Sequence, residues 1–432
     1  MPTLVADPGS LEEIGRSVKS DRGGPIAYLA ECLRRIETAD KIVQGWCSVD
    51  RERALAAARI LQQEAQSGLI RGPLHGVPIA IKDVIDVAGL PTRAGSKTRE
   101  QSAPCTIDAQ IVGRLRVAGA VILGKAHTTE FAYFDGPPPT RNPHDLTRTP
   151  GGSSAGPAAV VASGMVPLSL GTQTAGSVNR PAAYCGIAAF KPSTGAWSSF
   201  GVTPLAPSFD TVGVFGYRVR DAVAAARVLM PPFLLGATTS SPFRIGFIED
   251  PILTAASTAI ATSIESAAEK LAGDNFRIER LPSPVLFADI ISAHKTVMDY
   301  ELARCHRALE WDPDVSAGLR EAIARGLSIE DATYRDACGA LDVARQRFWA
   351  ANTQFDALTF PAAPDVAPEG MQTGDPRFIV PFTALGGPIV SIPIAHGAAG
   401  LPLGLMLIGA PGMDITITRI AEHAANAIEL PR

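Results

Sequence analysis

Along the segment RERALAAARILQQEAQ (Arg51–Gln66) apolar residues recur at roughly i, i+3, i+4 and i+7, the spacing of one buried helix face. Helices are predicted over 10–19, 25–39 and 50–67. From Gly76 onward the texture changes to short, nearly continuous apolar runs: VPIAIKD, AVILGKA, VPLSLG, FRIGFIED, FDALTFP, PIVSIPIA and LPLGLMLIG. Runs of that kind are strands buried on both faces. Helical segments separate them, among them DAQIVGRLRVAG, which Gly119 ends, GPAAVVASG and, last, ITITRIAEHAANAI. The pattern predicts an α/β fold with one large sheet covered by helices on both faces. Residues 1–432 read as a single domain, with 1–70 as a helical N-terminal layer. From about 252 to 353 the chain is more helical and more charged, an excursion expected to border the pocket.

Composition adds mainly exclusions. With 432 residues and 46% hydrophobic content, a large core is easily supplied. A formal charge of −4 gives no reason to expect nucleic acid or an anionic membrane as partner. No apolar run approaches the ~18 residues of a membrane span. The start, MPTLVADPGSLEEIG, lacks the basic and apolar regions of a signal sequence. Six cysteines lie far apart without CxxC pairs, which suits reduced thiols and a cytoplasmic setting. The seven histidines show no ligand spacing, so neither a metal site nor another cofactor is expected.

The candidate chemistry lies in two glycine-rich, serine-bearing turns, Gly151–Gly156 and Gly171–Ser177, and in a lysine that ends an apolar run, Lys82. None of these segments holds a histidine, so serine activation would fall to the lysine. A lysine acts as a base only when neutral, and its ordinary pKa of about 10.4 prevents that near pH 7. Burial lowers it. The run Val77–Ile81 is suitably apolar, but Asp83 would oppose the shift if it pointed inward. On pattern alone, Lys82 could equally be a snorkelling lysine at a strand end, and each glycine–serine loop a plain turn.

These residues and spacings, together with the downstream AAYCGIAAFKPSTG, resemble the amidase signature family of serine hydrolases, from about Gly72 to the end of the chain. The resemblance implies a single large mixed β-sheet, no cofactor, and cleavage of an amide-like C–N bond. It implies Ser177 as the nucleophile that forms an acyl-enzyme, Ser153 as relay and Lys82 as base, with a cis peptide bond at Gly152–Ser153. The loop Thr174-Ala175-Gly176-Ser177 would supply the backbone N–H groups of an oxyanion hole. Pro181 fits the first turn of the helix that follows, where its missing donor is harmless.

The chain departs from the common family pattern at Gln173, where an acid is usual, and at Ala175 and Ala155, where glycines are usual. Ala175 must therefore tolerate whatever angles its loop imposes. Arginine follows the nucleophile by three residues, as Arg180, an arrangement similar to that of the malonamidase branch, which also shares much of RNPHDLTRTPGGSS. There the arginine holds a substrate carboxylate, so Arg180 is a substrate-binding candidate, together with Ser154; a salt bridge from Arg180 to an acid such as Asp210 is the other reading. Relatives of that branch imply a homodimer.

A small linear amide is the leading substrate, with carbamates (urethanes), ureides and aryl amides served by the same machinery. Further alternatives are a non-catalytic binding relative and the amide-cleaving subunit of a glutamine amidotransferase. GSSAG also matches the nucleophile elbow of α/β-hydrolases, which needs a strand immediately before it. Pocket walls are expected around Tyr133–Pro139, Trp197–Pro207 and Ile290–Arg304.

Overall fold

The structure is a computed structural model and describes residues 4–18, 23–230, 242–273 and 275–428. Eleven strands form one mixed sheet: β1 (Trp46–Val49), β2 (Pro78–Lys82), β3 (Val121–Ala126), β4 (Leu168–Gln173), β5 (Ala188–Lys191), β6 (Thr211–Gly216), β7 (Phe243–Glu249), β8 (Phe276–Pro282), β9 (Ala357–Pro361), β10 (Ile389–His396) and β11 (Pro402–Ile408). Their order across the sheet is β1-β3-β2-β4-β6-β5-β10-β11-β9-β7-β8. The trio β3-β2-β4 is parallel, with Ile79 level with Ile122 and Leu168. The centre from β4 to β9 is antiparallel, and β9-β7-β8 is parallel again.

Alternation along the strands separates the core into layers. Ile79, Ile81, Val390, Ile392, Leu405 and Leu407 point to one face. There they meet α1 (Leu11–Val18), α4 (Gln110–Val117), α7 (Val219–Leu229), α8 (Thr258–Ala272) and α13 (Asp414–Ile428). On the opposite face, Ala80, Val121 and Leu123 lie under α2 (Pro25–Val43), α3 (Arg51–Gln66), α5 (Ala155–Ala162) and α6 (Asn179–Cys185). Farther along that face, Ile389, Met406 and Ile408 meet α9 (Phe287–Cys305), α11 (Asp331–Ala351) and α12 (Val380–Ala384). Between α9 and α11 runs α10 (Ala317–Leu327).

The seven apolar runs are all strands, and the predicted helices form with ends shifted by a few residues. Residue 19, at the end of the first, lies outside the described residues. Four strands escaped the apolar pattern. β1 has four residues at one edge of the sheet, and β8 at the other edge alternates buried Phe276 with largely exposed polar positions. β5 (AAFK) is too short to register, and the glycines of β6 (TVGVFG) disguise it as a turn. The stretch 252–353 therefore carries one strand among its helices. Among the described residues no helix is long and apolar enough to cross a membrane.

Candidate active site

Because β3, β2 and β4 run parallel, their carboxyl ends emerge together at one edge of the sheet, where open α/β sheets gather reactive groups. Lys82 is the last residue of β2, the loop after β3 brings Thr129, and the end of β4 leads through Thr174–Ser177 into α6. The turn with Ser153 and Ser154 leads into α5. No strand precedes Gly152 directly, which removes the elbow reading.

Lys82 is fully buried. Its Nζ lies 2.7 Å from Ser153 Oγ and 2.8 Å from Thr172 Oγ1. Burial pushes its pKa well below the ordinary lysine value, and the charge of Asp210 opposes this. Asp83 does not compete: its carboxylate pairs with the ammonium of buried Lys125 at 2.9 Å, and Lys125 also donates to Thr92 Oγ1. With its neighbouring acid engaged elsewhere, Lys82 is desolvated without a carboxylate partner, the state in which an amine keeps a free lone pair.

The peptide bond Gly152–Ser153 is cis. Thr129 N donates to Ser153 O, which ties the loop after β3 to the same turn. Ser177 stands at the head of α6 with 6% of its surface accessible, and its hydroxyl has no hydrogen-bond partner among the described residues, Ser153 included. The two serine turns nonetheless pack together. Arg180 Nη2 donates to Gly152 O at 2.6 Å, and a Cβ at Gly151 (φ 81°) would come within 2.9 Å of Pro181 Cα, so only glycine fits there. Pro181 sits in the first turn of α6, where no intrahelical acceptor awaits its nitrogen.

The loop between the two elements is held by its carbonyls. His294 Nε2, from α9, donates to Thr174 O at 2.8 Å, and Thr383 Oγ1, from α12, donates to Ala175 O at 2.6 Å. In a trans peptide the C=O and N–H point in opposite directions, so fixing these two oxygens aims the N–H groups of Ala175 and Gly176 the other way. Neither they nor the N–H of Ser177 have an acceptor among the described residues. Thr174 is fixed at its side chain too, donating to Asp210 Oδ1 at 2.5 Å, while Asp210 Oδ2 accepts from the N–H groups of Leu205 and Ala206. Ala175 does not adopt a positive φ, so the loss of the usual glycine costs nothing there.

Gln173 replaces the usual acid without losing its bonds. Its Oε1 accepts from the N–H groups of Val178 and Asn179, as a carboxylate could. Its Nε2, which a carboxylate lacks, donates to Asn179 Oδ1 and Thr383 Oγ1. A relay of polar contacts thus runs from the head of α6 through Gln173 and Thr383 to the carbonyl of Ala175.

Of the two substrate-binding candidates, Ser154 is sealed, its hydroxyl bridging the backbone N–H and C=O of Thr172. Arg180 is also sealed, and Asp210 is not its partner. Apart from the Gly152 contact, its Nε and Nη1 are buried without acceptors. Burial pulls its guanidinium down to about 10. Nothing in the sequence marked Thr383, and His294 lies within the expected pocket segment Ile290–Arg304 without having been singled out; Thr172 and Asp210 fall inside or beside the recognised segments. Among the described residues no group of three or more His, Cys, Asp or Glu is placed to hold a metal.

Similarity to known proteins identifies the family. The family model described as Amidase matches residues 27–417. A glutamyl-tRNA(Gln) amidotransferase subunit from Anaeromyxobacter sp. (strain K) is 33% identical over 476 aligned residues, spanning 97% of this chain and 95% of that one. A crystal structure of an amidase superposes with a TM-score of 0.87 at 31% identity, covering 97% of this chain and all of the other. A chain from a vestigial protein complex bearing on the origins of an s-triazine catabolic enzyme gives 0.90 at 29% identity, covering 98% and 99%. The native peptide amidase of Stenotrophomonas maltophilia gives 0.86 at 25%, covering 98% and 97%.

Proposed function

The chain belongs to the amidase family of enzymes acting on C–N bonds, and from that premise we propose that it hydrolyses a small linear amide through an acyl-enzyme on Ser177. The observation that carries this reading is the contact between Lys82, buried and free of a carboxylate partner, and Ser153. Ser177 Oγ attacks the amide carbonyl while its proton passes to Ser153 and the Ser153 proton passes to Lys82. The N–H groups of Ala175, Gly176 and Ser177 receive the oxyanion. As the tetrahedral intermediate collapses, the proton returns through Ser153 to the leaving nitrogen, which departs as a neutral amine or ammonia. Water then attacks the acyl ester by the same relay, and Ser177 regains its proton.

The N–H groups of Arg180 that lack acceptors favour a primary amide carrying a carboxylate, of the malonamate type, and because Arg180 is sealed such a substrate would have to displace what covers it. Likeness to the amidotransferase chain supports a second reading, in which the amide is that of glutamine and the ammonia passes to a partner. Carbamates, ureides and aryl amides would use the same groups. The homodimer implied by sequence belongs to the first reading and an assembly with unlike chains to the second; mass in solution and copurifying partners separate them.

The test follows ammonia release with mass spectrometry of the acylated chain. Wild type should form an adduct on Ser177, and Ser177→Ala should lose adduct and turnover together. Turnover near wild type in Ser177→Ala would sink the assignment.

A further inference from the structure

The connection from β9 to α12, residues 362–379, holds no helix and no strand beyond a one-residue bridge between Glu369 and Arg148. Connections of that length without regular structure are uncommon, and most that occur serve a function. The last part of this one is fixed at both ends. Gly370 N donates to Thr147 O, Arg148 Nη1 donates to Ala367 O, and at the far end Ile379 N donates back to Pro376 O. Between them, residues 371–375 make no backbone–backbone hydrogen bond among the described residues.

Here the chain crosses both serine turns. A Cβ at Gly152 would stand 2.6 Å from Thr373 Cγ2, so Thr373 rests on the turn that carries Ser153. A Cβ at Gly176, beside Ser177, would stand 3.4 Å from Pro376 Cβ. Between the two, Gly374 (φ 84°) lies so close to the ring of Tyr184 on α6 that an added Cβ would meet Cε2 at 2.6 Å. The cover is one residue thick: Thr373 is buried, while Gln372 and Arg377 are exposed. A cavity of about 370 Å³ opens against Ala175 with Pro376 in its wall, but Ser153, Ser177 and Arg180 do not line it. The expected pocket segments Tyr133–Pro139 and Ile290–Arg304 contribute to that cavity. Trp197–Pro207 lines neither it nor a larger groove of about 660 Å³ between α9 and α11.

Little holds the cover down. Besides the packing of Thr373, Gly374 and Pro376, Arg141 Nη1 donates to Met371 Sδ at 2.9 Å. A segment with so few bonds opens at a small part of the cost of unfolding the sheet. The carboxylate charge that reaches Arg180 is that of Asp375, on the same segment. Opening withdraws it and leaves the guanidinium to an incoming carboxylate.

We propose that residues 371–376 form a strap that opens about Gly370 and Gly374 to admit substrate, with Thr373 as its plug over the Gly152–Ser153 turn. The proposal rests on Ser177 as nucleophile and adds an opening step ahead of the chemistry.

Sulfonyl fluorides test it without knowledge of the true substrate. Ser177 Oγ attacks sulfur, fluoride leaves with the S–F electron pair, and the hydroxyl proton passes to the Ser153–Lys82 pair. Intact mass of the full chain follows the rate of labelling by methanesulfonyl fluoride and by phenylmethanesulfonyl fluoride. In Gly374→Ala the new methyl meets Tyr184 and the closed strap needs a left-handed alanine, which favours the open form. Labelling should accelerate about 5- to 30-fold, by a common factor for the two reagents, since opening precedes contact with either. Thr373→Gly, which removes the plug, should also accelerate both. Each variant is checked for a cooperative thermal transition. Equal or slower labelling in both variants, or a gain for one reagent only, overturns the gate. Absence of an adduct in every form, or labelling of Ser177→Ala at the wild-type rate, instead overturns the nucleophile, a separate failure.

Discussion

The hydroxyl of Thr383 donates to the carbonyl oxygen of Ala175 at 2.6 Å, across 208 residues of chain. Because Gln173 Nε2 donates in turn to that hydroxyl, its one proton is committed to Ala175 O: the oxygen accepts from one side of the loop and the proton fixes the other. Thr383→Val keeps the shape but frees the Ala175 peptide to rotate. We expect kcat to fall about 10- to 100-fold with little change in KM, somewhat less than the loss of an oxyanion donor outright. Thr383→Ser should recover most of the rate, and a variant that alters KM alone would remove Thr383 from this role.

His294 makes a second prediction, on stability. Burial pulls its imidazole down to about 4, against 6.5 for the free group, since protonation would charge a sealed site. Between those values the unfolded chain binds the extra proton and the folded one does not. Stability is therefore intact above about pH 6.5 and falls as the pH drops toward 4, by up to about 3 kcal/mol from this group. Denaturant midpoints measured across that range should show the slope, and His294→Gln, which still donates to Thr174 O but does not titrate, should flatten it. An equal slope in the variant would place the titration elsewhere.

The proposed base predicts the shape of the pH–rate profile. Lys82 must be neutral to accept a proton, so kcat/KM should rise with pH and level off well below the ordinary lysine range. The charge of Asp210 favours the ammonium, so Asp210→Asn should move the acid limb to lower pH. Lys82→Ala should lose about 10³-fold or more in kcat/KM while remaining folded. An acid limb that stays in place in Asp210→Asn would mean that the two groups are not coupled.

Arg180 separates two jobs. If it only holds Gly152 O, Arg180→Met should depress all amides alike. If its unpartnered N–H groups also meet a substrate carboxylate, the loss should be selective: about 10- to 100-fold more for malonamate than for a neutral amide of similar size, the worth of a charge-assisted contact. Ammonia release from the two substrates reads the difference directly.

Lys82, Ser153 and Ser177 stand out in the sequence because each sits in a short segment whose local pattern is unusual: a charge closing an apolar strand, and serines among glycines. The same holds for Gln173 and Ala175, visible as departures from a familiar motif. Thr383 leaves no such trace and His294 only its place in the expected pocket segment Ile290–Arg304, since their contacts arise only when α9 and α12 dock on the sheet and nothing local requires a donor there. Asp83 shows the limit from the other side. Its position beside Lys82 is plain, but its engagement by Lys125 depends on β2 and β3 pairing side by side, with Lys82 level with Ala126. The edge strands β1 and β8 are hard to see because a strand with one free side has less reason to be apolar.

The two carbonyl contacts of the Thr174–Ser177 loop also bear on how the enzyme comes into being. The proposed nucleophile, relay and base all lie between Lys82 and Ser177, within the first half of the chain to leave the ribosome. The groups that aim the loop arrive later, one on α9 and the other on α12. A nascent chain that has released all three of these side chains still lacks the contacts that fix the loop, so on the proposed mechanism hydrolysis would await the folding of the C-terminal third against the rest.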